Sequence, residues 1–333
     1  MTGLIILDNS LNQGLIYGFL ALSVFISLRV IDFPDLSVEG TFPLGAAIAV
    51  ACTKLWGLNW TAVFPLVLAL GFTAGTLTGV LHTYLRLGKL LSGILVAIGL
   101  YSINFRVMVA NSNLYLVGEQ NSFYWLKEQN FKLIQTLLPD STSVSIYPVL
   151  NFVYLLISIS VIYMLLSLFK TQKGILIRFA RADSKMFLES LGVNQKRYAI
   201  LGLGIANALA AFSGSLVAFQ EGSASINMGF GMILVALVSL VIGEQVIRVF
   251  HQDLTDIWPT IISPFVGAFL YYLIIRAVRG LNSLWQIYRG FPDPTDQLQF
   301  FNSDVRLLSV LIMVLLYIFR KKEITEINIP ERL

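Results

Sequence analysis

Acidic and hydroxyl side chains cluster in one interrupted stretch of an otherwise apolar chain. The segment Asp32–Pro43 reads DFPDLSVEGTFP, with three acids, two prolines and one glycine, and long apolar runs surround it. Asp35 and Glu39 are four residues apart, so on a helix they would share one face. Acidic groups at membrane depth are costly and usually face a polar cavity or a partner. We therefore predict that Asp35, Ser37, Glu39 and Thr41 line a polar pathway.

Two interpretations of this segment stay open. Pro34 and Pro43 remove backbone donors and Gly40 weakens a helix, and broken helices at membrane depth are tolerated where they are buried in protein or line a water-filled path. The functional interpretation is a discontinuous helix along a permeation route. The structural interpretation is an ordinary polar turn at the membrane surface, capped by Asp35 or Ser37.

A second polar break lies at Glu221–Gly231, which reads EGSASINMGFG before a short apolar run. It is either a re-entrant break that frees backbone groups near the pathway or an external turn. Glu221 and Asn227 are its candidate pathway residues.

The segment 170–197 is the long polar and basic stretch of the chain. It carries seven Lys or Arg residues against two acids, between long apolar runs. Basic loops stay on the cytoplasmic side of a membrane. Apolar residues recur in it at helical spacing. This pattern predicts an amphipathic helix pair that packs against a soluble partner or, alternatively, lies on anionic lipid headgroups.

Composition places these segments in a lipid bilayer. The 333-residue chain is 56% hydrophobic and only 13% charged, too few charges for a soluble surface. One cysteine, Cys52, and two histidines exclude a disulfide framework and a cysteine metal site. The chain has no P-loop for ATP hydrolysis, and no basic surface typical of nucleic-acid binding. We expect no catalytic residue, no metal and no cofactor in this chain.

The elements that position these residues are spanning helices of about 20 apolar residues each. We predict an all-α polytopic membrane protein with about nine spans, in a range of roughly eight to ten, some broken or short, in a single transmembrane domain, 1–333. The predicted spans are Leu11–Leu28, Leu44–Trp56 joined to the interrupted segment before it, Thr61–Leu85, Leu90–Ala110, Tyr147–Phe169, Tyr198–Phe219, Met228–Ile242, Ile257–Ile275 and Leu307–Phe319.

Basic residues set the orientation of the spans. Arg86, Lys89, the 170–197 segment and the 320–322 tail are expected in the cytoplasm. The 111–146 and 280–304 segments are then extracytoplasmic loops, and so is the N-terminus.

Small residues recur every four positions in three spans. Gly71, Gly75 and Gly79 form one such ridge, and similar ridges begin at Gly14 and Gly202. Small residues let helix backbones approach closely. These ridges predict tight packing within one bundle, with pairing between subunits as the alternative.

Two motifs resemble those of ABC importer permeases in the superfamily of branched-chain amino acid and ribose permeases. DLSVEGTFPLGAA (Asp35–Ala47) resembles the break after the first long helix. It is closer still to a less characterised group that is often paired with binding proteins for aromatic amino acids. TQKGILIRFARADSKMFLESLGVN (Thr171–Asn194) resembles the cytoplasmic coupling segment. The order of spans also fits, so the resemblance covers most of the chain.

The resemblance implies partners and a mechanism. Two permease copies would form the pathway, and an extracytoplasmic solute-binding protein would deliver a small organic solute, in first place an amino acid, with aromatic ones as candidates. Cytoplasmic ABC ATPase subunits would hydrolyse ATP and dock on the coupling segment, all at the bacterial cytoplasmic (inner) membrane. The coupling residues would be Gly174, Arg178, Arg181, Ala182, Leu191 and Gly192.

Two other hypotheses remain at this stage. An ion-gradient-driven secondary transporter or channel would use Asp35 and Glu39 to couple solute to protons or sodium. A membrane scaffold or enzyme subunit would move no solute at all. The basic segment favours the importer over the gradient-driven carrier, because such a carrier needs no cytoplasmic coupling helix.

Overall fold

The computed structural model describes residues 2–116, 128–129, 132, 148–180, 190, 192–250 and 257–289. These ranges are helical apart from two short strands and the connections between elements. The helices are α1 (Thr2–Val24) with a π-helical continuation (Phe25–Val30), α2 (Val38–Trp56), α3 (Trp60–Thr83), α4 (Lys89–Val107), α5 (Pro148–Lys170), α6 (Gln172–Arg178), α7 (Gln195–Glu221), α8 (Met232–Phe250) and α9 (Ile257–Arg289), and the strands are β1 (Asn113–Tyr115) and β2 (Ser223–Ser225).

Eight helices in the described part of the chain are long and apolar enough to cross a membrane. They match eight of the predicted spans, which confirms the all-α polytopic fold. The ninth predicted span, Leu307–Phe319, and the 320–322 tail lie outside the described residues. Most of the predicted 111–146 loop also lies outside them.

Three helices form the centre of the bundle, because α1, α2 and α7 are the most buried of the spans. The glycine ridge of α3 packs on α7. A Cβ atom at Gly71 would lie 2.7 Å from the Cβ of Ala211, and one at Gly75 would collide with the carbonyl of Leu203. Gly18 meets Phe265 of α9 in the same way. The small residues therefore serve tight packing within one bundle, as predicted.

Helix α2 starts at Val38 and continues through Pro43, so the break precedes the helix and the run Leu44–Trp56 is joined to part of the interrupted segment, as predicted. Two other helices run further than the sequence pattern predicted. Helix α8 continues past Gly243 to Phe250. Helix α9 continues to Arg289, so the first part of the predicted 280–304 loop is helical.

A salt bridge accounts for the polar extension of α8. The guanidinium of Arg29, in the π-helical end of α1, donates from Nε and Nη2 to the two carboxylate oxygens of Glu244, at 2.7 Å each. Bidentate pairs of this kind have a defined geometry and are stronger than neutral hydrogen bonds. The negative charge of Glu244, just beyond the predicted end of this span, is therefore paired against a neighbouring helix.

Contacts at the two ends of the bundle show which connections lie on the same side. Strands β1 and β2 pair antiparallel, so the end of α4 and the end of α7 lie on the same side. At the opposite end, Lys89 Nζ lies 3.3 Å from Asp32 Oδ2, which places the connection before α2 beside the start of α4. This is the end that the basic residues assign to the cytoplasm.

Candidate functional site

A cavity of about 380 Å³ lies between the first half of α2, helix α4 and the segment that joins β2 to α8. This volume is within the range of sites that bind small molecules, roughly 300–1,000 Å³. Most of its wall is apolar, with a few polar groups. The wall residues that matter for its chemistry are Glu39, Pro43, Ile98, Tyr101, Asn104 and Phe230.

The turn before α2 decides which residues reach this cavity. Asp35 Oδ1 accepts hydrogen bonds from the Ser37 N–H at 2.8 Å and from Ser37 Oγ at 2.6 Å, an Asx turn that leads into the helix at Val38. Asp35 thus precedes the helix. The expectation that Asp35 and Glu39 share one face is wrong, because four-residue spacing aligns side chains only within a helix.

Asp35 instead belongs to a closed polar network with α7. Asn207 Nδ2 donates to Asp35 Oδ2 at 2.7 Å, and Thr41 Oγ1 donates to Asn207 Oδ1 at 2.7 Å. All four members, Asp35, Ser37, Thr41 and Asn207, are buried. The predicted pathway residues Asp35, Ser37 and Thr41 are thus brought together, on the side of α2 that packs against α7.

Asn207 is the member of this network that the sequence analysis did not single out. It stands on the small-residue face of α7, where a Cβ at Gly75 would also approach it closely. A signal was available, because an amide inside a spanning helix commonly bonds across to another helix.

Glu39 is the predicted residue that faces the cavity. Its side chain is half-buried, and its Oε1 accepts a hydrogen bond from the Gly231 N–H at 3.1 Å. The residues before α8 therefore pack on α2 and form part of the cavity wall. Within this second break, Ile226 and Phe230 line the cavity, whereas Glu221 and Asn227 do not line it and are exposed.

Asn104 completes the polar part of the wall from α4. It is fully buried, and its Nδ2 donates to the carbonyl of Gly40 at 3.1 Å. Its Oδ1 is buried and has no hydrogen-bond partner in the part of the chain that the structure describes. Buried polar atoms are normally paired, so this oxygen requires an explanation.

The short helix α6 begins the predicted coupling segment. Thr171 Oγ1 caps it by accepting from the Gly174 N–H at 3.2 Å. A Cβ at Gly174 would collide with the carbonyl of Leu168, so the glycine lets α6 fold back tightly on the end of α5. This contact fixes the direction in which α6 leaves the bundle.

Helix α6 presents a mixed surface away from the bundle. Ile177 is buried, but Ile175 and Phe179 are 41% and 43% exposed, and Arg178 beside them is exposed as well. Gly192 follows with φ +68° and open space around it. Three other predicted coupling residues, Arg181, Ala182 and Leu191, lie outside the described residues.

Comparison with known proteins agrees with this architecture. The family "Branched-chain amino acid transport system / permease component" matches residues 6–319. The chain is 33% identical over 286 residues to a tyrosine transport system permease protein of Clostridioides difficile, covering 85% of each chain. It is 32% identical over 270 residues to an uncharacterized protein of Rickettsia prowazekii, covering 80% of this chain and 87% of that one. No solved structure matches significantly.

The extent of the family match decides the identity of the chain. It covers the eight helices of the described residues that are long and apolar enough to span a membrane, together with the break before α2 and the basic segment around α6. A permease component works as one part of a larger transport system. The chain therefore belongs to the family of permease components of branched-chain amino acid transport systems, and it is a multi-pass permease of the ABC importer class in the bacterial inner membrane.

Proposed function

We propose that this permease imports an amino acid with an aromatic side chain, as part of a complex with cytoplasmic ABC ATPase subunits and an extracytoplasmic solute-binding protein. The cavity beside α2 carries this proposal. Tyr101, Phe230 and Ile98 give it an aromatic and apolar wall, and Glu39 gives it a charged group. Aromatic side chains bury large areas and pack well on such walls. One of the relatives described above is a tyrosine transport system permease protein.

Energy would come from the partner ATPase, and this chain would hold no ATPase site and no cofactor of its own. The exposed apolar pair at the end of α6, Ile175 in the helix and Phe179 directly after it, is suited to a hydrophobic groove on the ATPase. Arg178 between them would meet acidic groups at the rim of that groove. Arg181, Ala182, Leu191 and Gly192 are proposed to complete the coupling surface.

A second copy of the chain would close the cavity in the assembled importer. Ile94, Ile98 and Tyr101 line the cavity and are also exposed on the outer face of α4. A homodimer with α4 near its axis would place two such cavities side by side along one pathway. Of the predicted pathway residues, Glu39 would then contact solute, while Asp35, Ser37 and Thr41 would hold α2 in place.

The closed network around Asp35 also argues against Asp35 as the coupling acid of a gradient-driven carrier. Such a carrier needs an intramembrane acid that exchanges protons or sodium with a water-filled path. Asp35 is 2% exposed and bonds Ser37 and Asn207. Its environment is that of a structural group.

The test is purification of the tagged permease from its native host in mild detergent, with mass spectrometry of the proteins that accompany it. A cassette ATPase should accompany the native chain and should be lost in Arg178→Glu. Arg106→Glu is the matched control, since Arg106 is exposed at the opposite end of the bundle, and it should retain the ATPase.

Uptake measurements on the same strains complete the test. Radiolabelled tyrosine should enter cells by a route that survives collapse of the ion gradients and disappears in Arg178→Glu. A permease that purifies without any ATPase, and whose uptake stops when the gradients collapse, would contradict the proposal.

A further inference from the structure

We infer that residues 29–36, which we call the floor segment, close the cavity on the side that the basic residues assign to the cytoplasm. We infer further that this route opens when the floor segment separates from α4 while it stays attached to α7 and α8. This inference rests on the proposed function, because it assigns the contact that must open for solute to leave the same cavity.

The floor segment lies between the cavity and the first turn of α4. Leu36 lines the cavity together with Ile94 of α4. A Cβ atom at Gly93 would lie 2.8 Å from the Leu36 nitrogen and 3.3 Å from Asp35 Oδ1, so the glycine lets the two backbones meet without a side chain between them. Lys89 is the first residue of α4, one turn before Gly93. A route along α4 from the cavity to that end is therefore closed by the floor segment.

Two ion pairs hold the floor segment, and their geometries differ. Arg29 binds both carboxylate oxygens of Glu244 on α8 at 2.7 Å, and the Glu244 side chain is only 13% exposed. Asp32 contacts α4 through one ammonium, because Lys89 Nζ lies 3.3 Å from Asp32 Oδ2 and donates to the Asp32 carbonyl. The Asp32 side chain is 51% exposed. Exposed ion pairs contribute little, whereas bidentate pairs are stronger, so the attachment to α4 is the weaker one.

Buried contacts attach the floor segment to α7 as well. Asp35 Oδ2 accepts a hydrogen bond from Asn207 Nδ2 at 2.7 Å. Ile31 packs so closely on α7 that a Cβ at Gly202 would collide with it, and Ile177 of α6 reaches the same position. A movement of α6 and α7 would therefore carry the floor segment with it and strain its weaker contact with α4.

The far end of α4 is bonded more firmly. Asn104 Nδ2 donates to the carbonyl of Gly40 at 3.1 Å, and Asn104 is fully buried. Buried hydrogen bonds are costly to break, because the separated groups find no other partner. Opening is therefore expected at the Lys89 end of α4, with the contact between Asn104 and Gly40 as the pivot.

The backbone of the floor segment is irregular between its two ion pairs. Arg29 lies in the π-helical turn Phe25–Val30, and Asp32 follows with φ +60°. Turns of the π type are rare and often lie at functional sites, and a positive φ is uncommon for residues other than glycine. The chain thus bends between Arg29 and Asp32, so one side chain can stay bound to α8 while the other leaves α4.

Cross-linking each ion pair tests which attachment must open. Cys52→Ala removes the one native cysteine. In that background, one variant carries Asp32→Cys with Lys89→Cys, and the matched variant carries Arg29→Cys with Glu244→Cys. A reducible bifunctional thiol reagent joins each pair in cells. The link between positions 32 and 89 should block uptake of radiolabelled tyrosine, and reduction should restore it. The link between positions 29 and 244 should not change the uptake that its variant shows before the reagent is added.

Thiol labelling tests the same contact without any solute. Leu36→Cys in the Cys52→Ala background places a thiol on the cavity floor, and a small charged methanethiosulfonate reagent is added to inside-out membrane vesicles. Lys89→Gln removes the ammonium that holds Asp32 and should raise the labelling rate roughly two- to fivefold, the value of an exposed ion pair. Arg86→Gln removes an exposed cation from the connection between α3 and α4 and should leave the rate unchanged.

Three results would overturn the inference. They are uptake that continues when positions 32 and 89 are joined, uptake that is blocked equally by both cross-links, and a labelling rate that Lys89→Gln does not change. The labelling needs no transported solute, so it decides the inference independently of the proposed function. Absence of tyrosine uptake in the native strain would instead contradict the proposed function itself.

Discussion

Replacing Asn207 by Leu tests whether the buried polar network holds α2 against α7. Leu has a similar size and keeps the packing of the helix face. It removes the hydrogen bond from Asn207 Nδ2 to Asp35 Oδ2, which is 2.7 Å long, and the acceptor of the Thr41 hydroxyl. Thr41 Oγ1 also lies 2.9 Å from the carbonyl of Ser37, so it retains a partner. The bond to Asp35 is therefore the principal loss.

The expected cost follows from that single bond. Hydrogen bonds to charged groups contribute about 1.5–3 kcal/mol, whereas hydrogen bonds between membrane helices average about 0.6 kcal/mol. Asp35 is 2% exposed and Asn207 is fully buried, so neither group gains water when the other is removed. We expect a loss of about 2 kcal/mol, which lowers the melting temperature by about 3 °C for a chain of this length.

Thermal unfolding of the purified permease in detergent measures this loss. Ser158→Ala is the matched control, because the buried Ser158 hydroxyl donates to the carbonyl of Tyr154 in its own helix and, among the described residues, to no other helix. It should melt close to the native temperature. A melting temperature of Asn207→Leu equal to that of the native chain would refute the assignment.

Exchange of the two partners provides a second test of the same network. Asn207→Asp alone places two carboxylates side by side and should destabilise the permease more than Asn207→Leu. Adding Asp35→Asn restores one amide opposite one carboxylate and should recover most of the stability. A double variant that is no more stable than Asn207→Asp alone would argue against direct pairing.

Two further predictions concern glycines. Gly75→Val should reduce the yield of folded permease, because a Cβ there collides with the backbone of α7, whereas Gly99→Val has nothing within 4 Å and should fold normally; equal yields in a detergent chromatography assay would contradict this. Gly192 has φ +68°, a conformation that costs other L-residues about 1–2 kcal/mol but that Asn tolerates. Gly192→Val should therefore lower recovery of the ATPase, and Gly192→Asn should retain it. Equal recovery by the two variants would show that ATPase binding does not depend on the backbone conformation at Gly192.

The spans could be predicted from the sequence because each needs a long apolar run, and hydrophobicity alone locates such runs. The ends of the helices were harder to predict from the sequence. Glu244 looks like part of a polar loop until Arg29, more than 200 positions earlier in the chain, is known to pair with it. A charged residue can be assigned to a spanning helix only when its ion-pair partner is known.

The roles of the side chains in the candidate site could also be predicted only in part from the sequence. The sequence identified Asp35, Ser37, Glu39 and Thr41 as polar groups at membrane depth, but their division between α7 and the cavity depends on where α2 begins. That start is set by the Asx turn at Asp35, a matter of local geometry. Asn104 was visible as a polar residue late in α4, yet its role depends on which of its two amide atoms faces Gly40.

The turn before α2 lies between α6, where the ATPase is proposed to dock, and the cavity that is proposed to bind solute. Ile31 and Ile177 both pack at the position of Gly202, so α6 touches the start of this turn through α7. Glu39 lies just beyond the turn, on the cavity wall. A displacement of α6 by the ATPase would therefore meet tightly packed, buried side chains, which shift as a unit because protein interiors are close-packed. The network of Asp35 with Asn207 attaches the turn to α7. In the proposed mechanism, this attachment would transmit a movement of α6 to the position of Glu39.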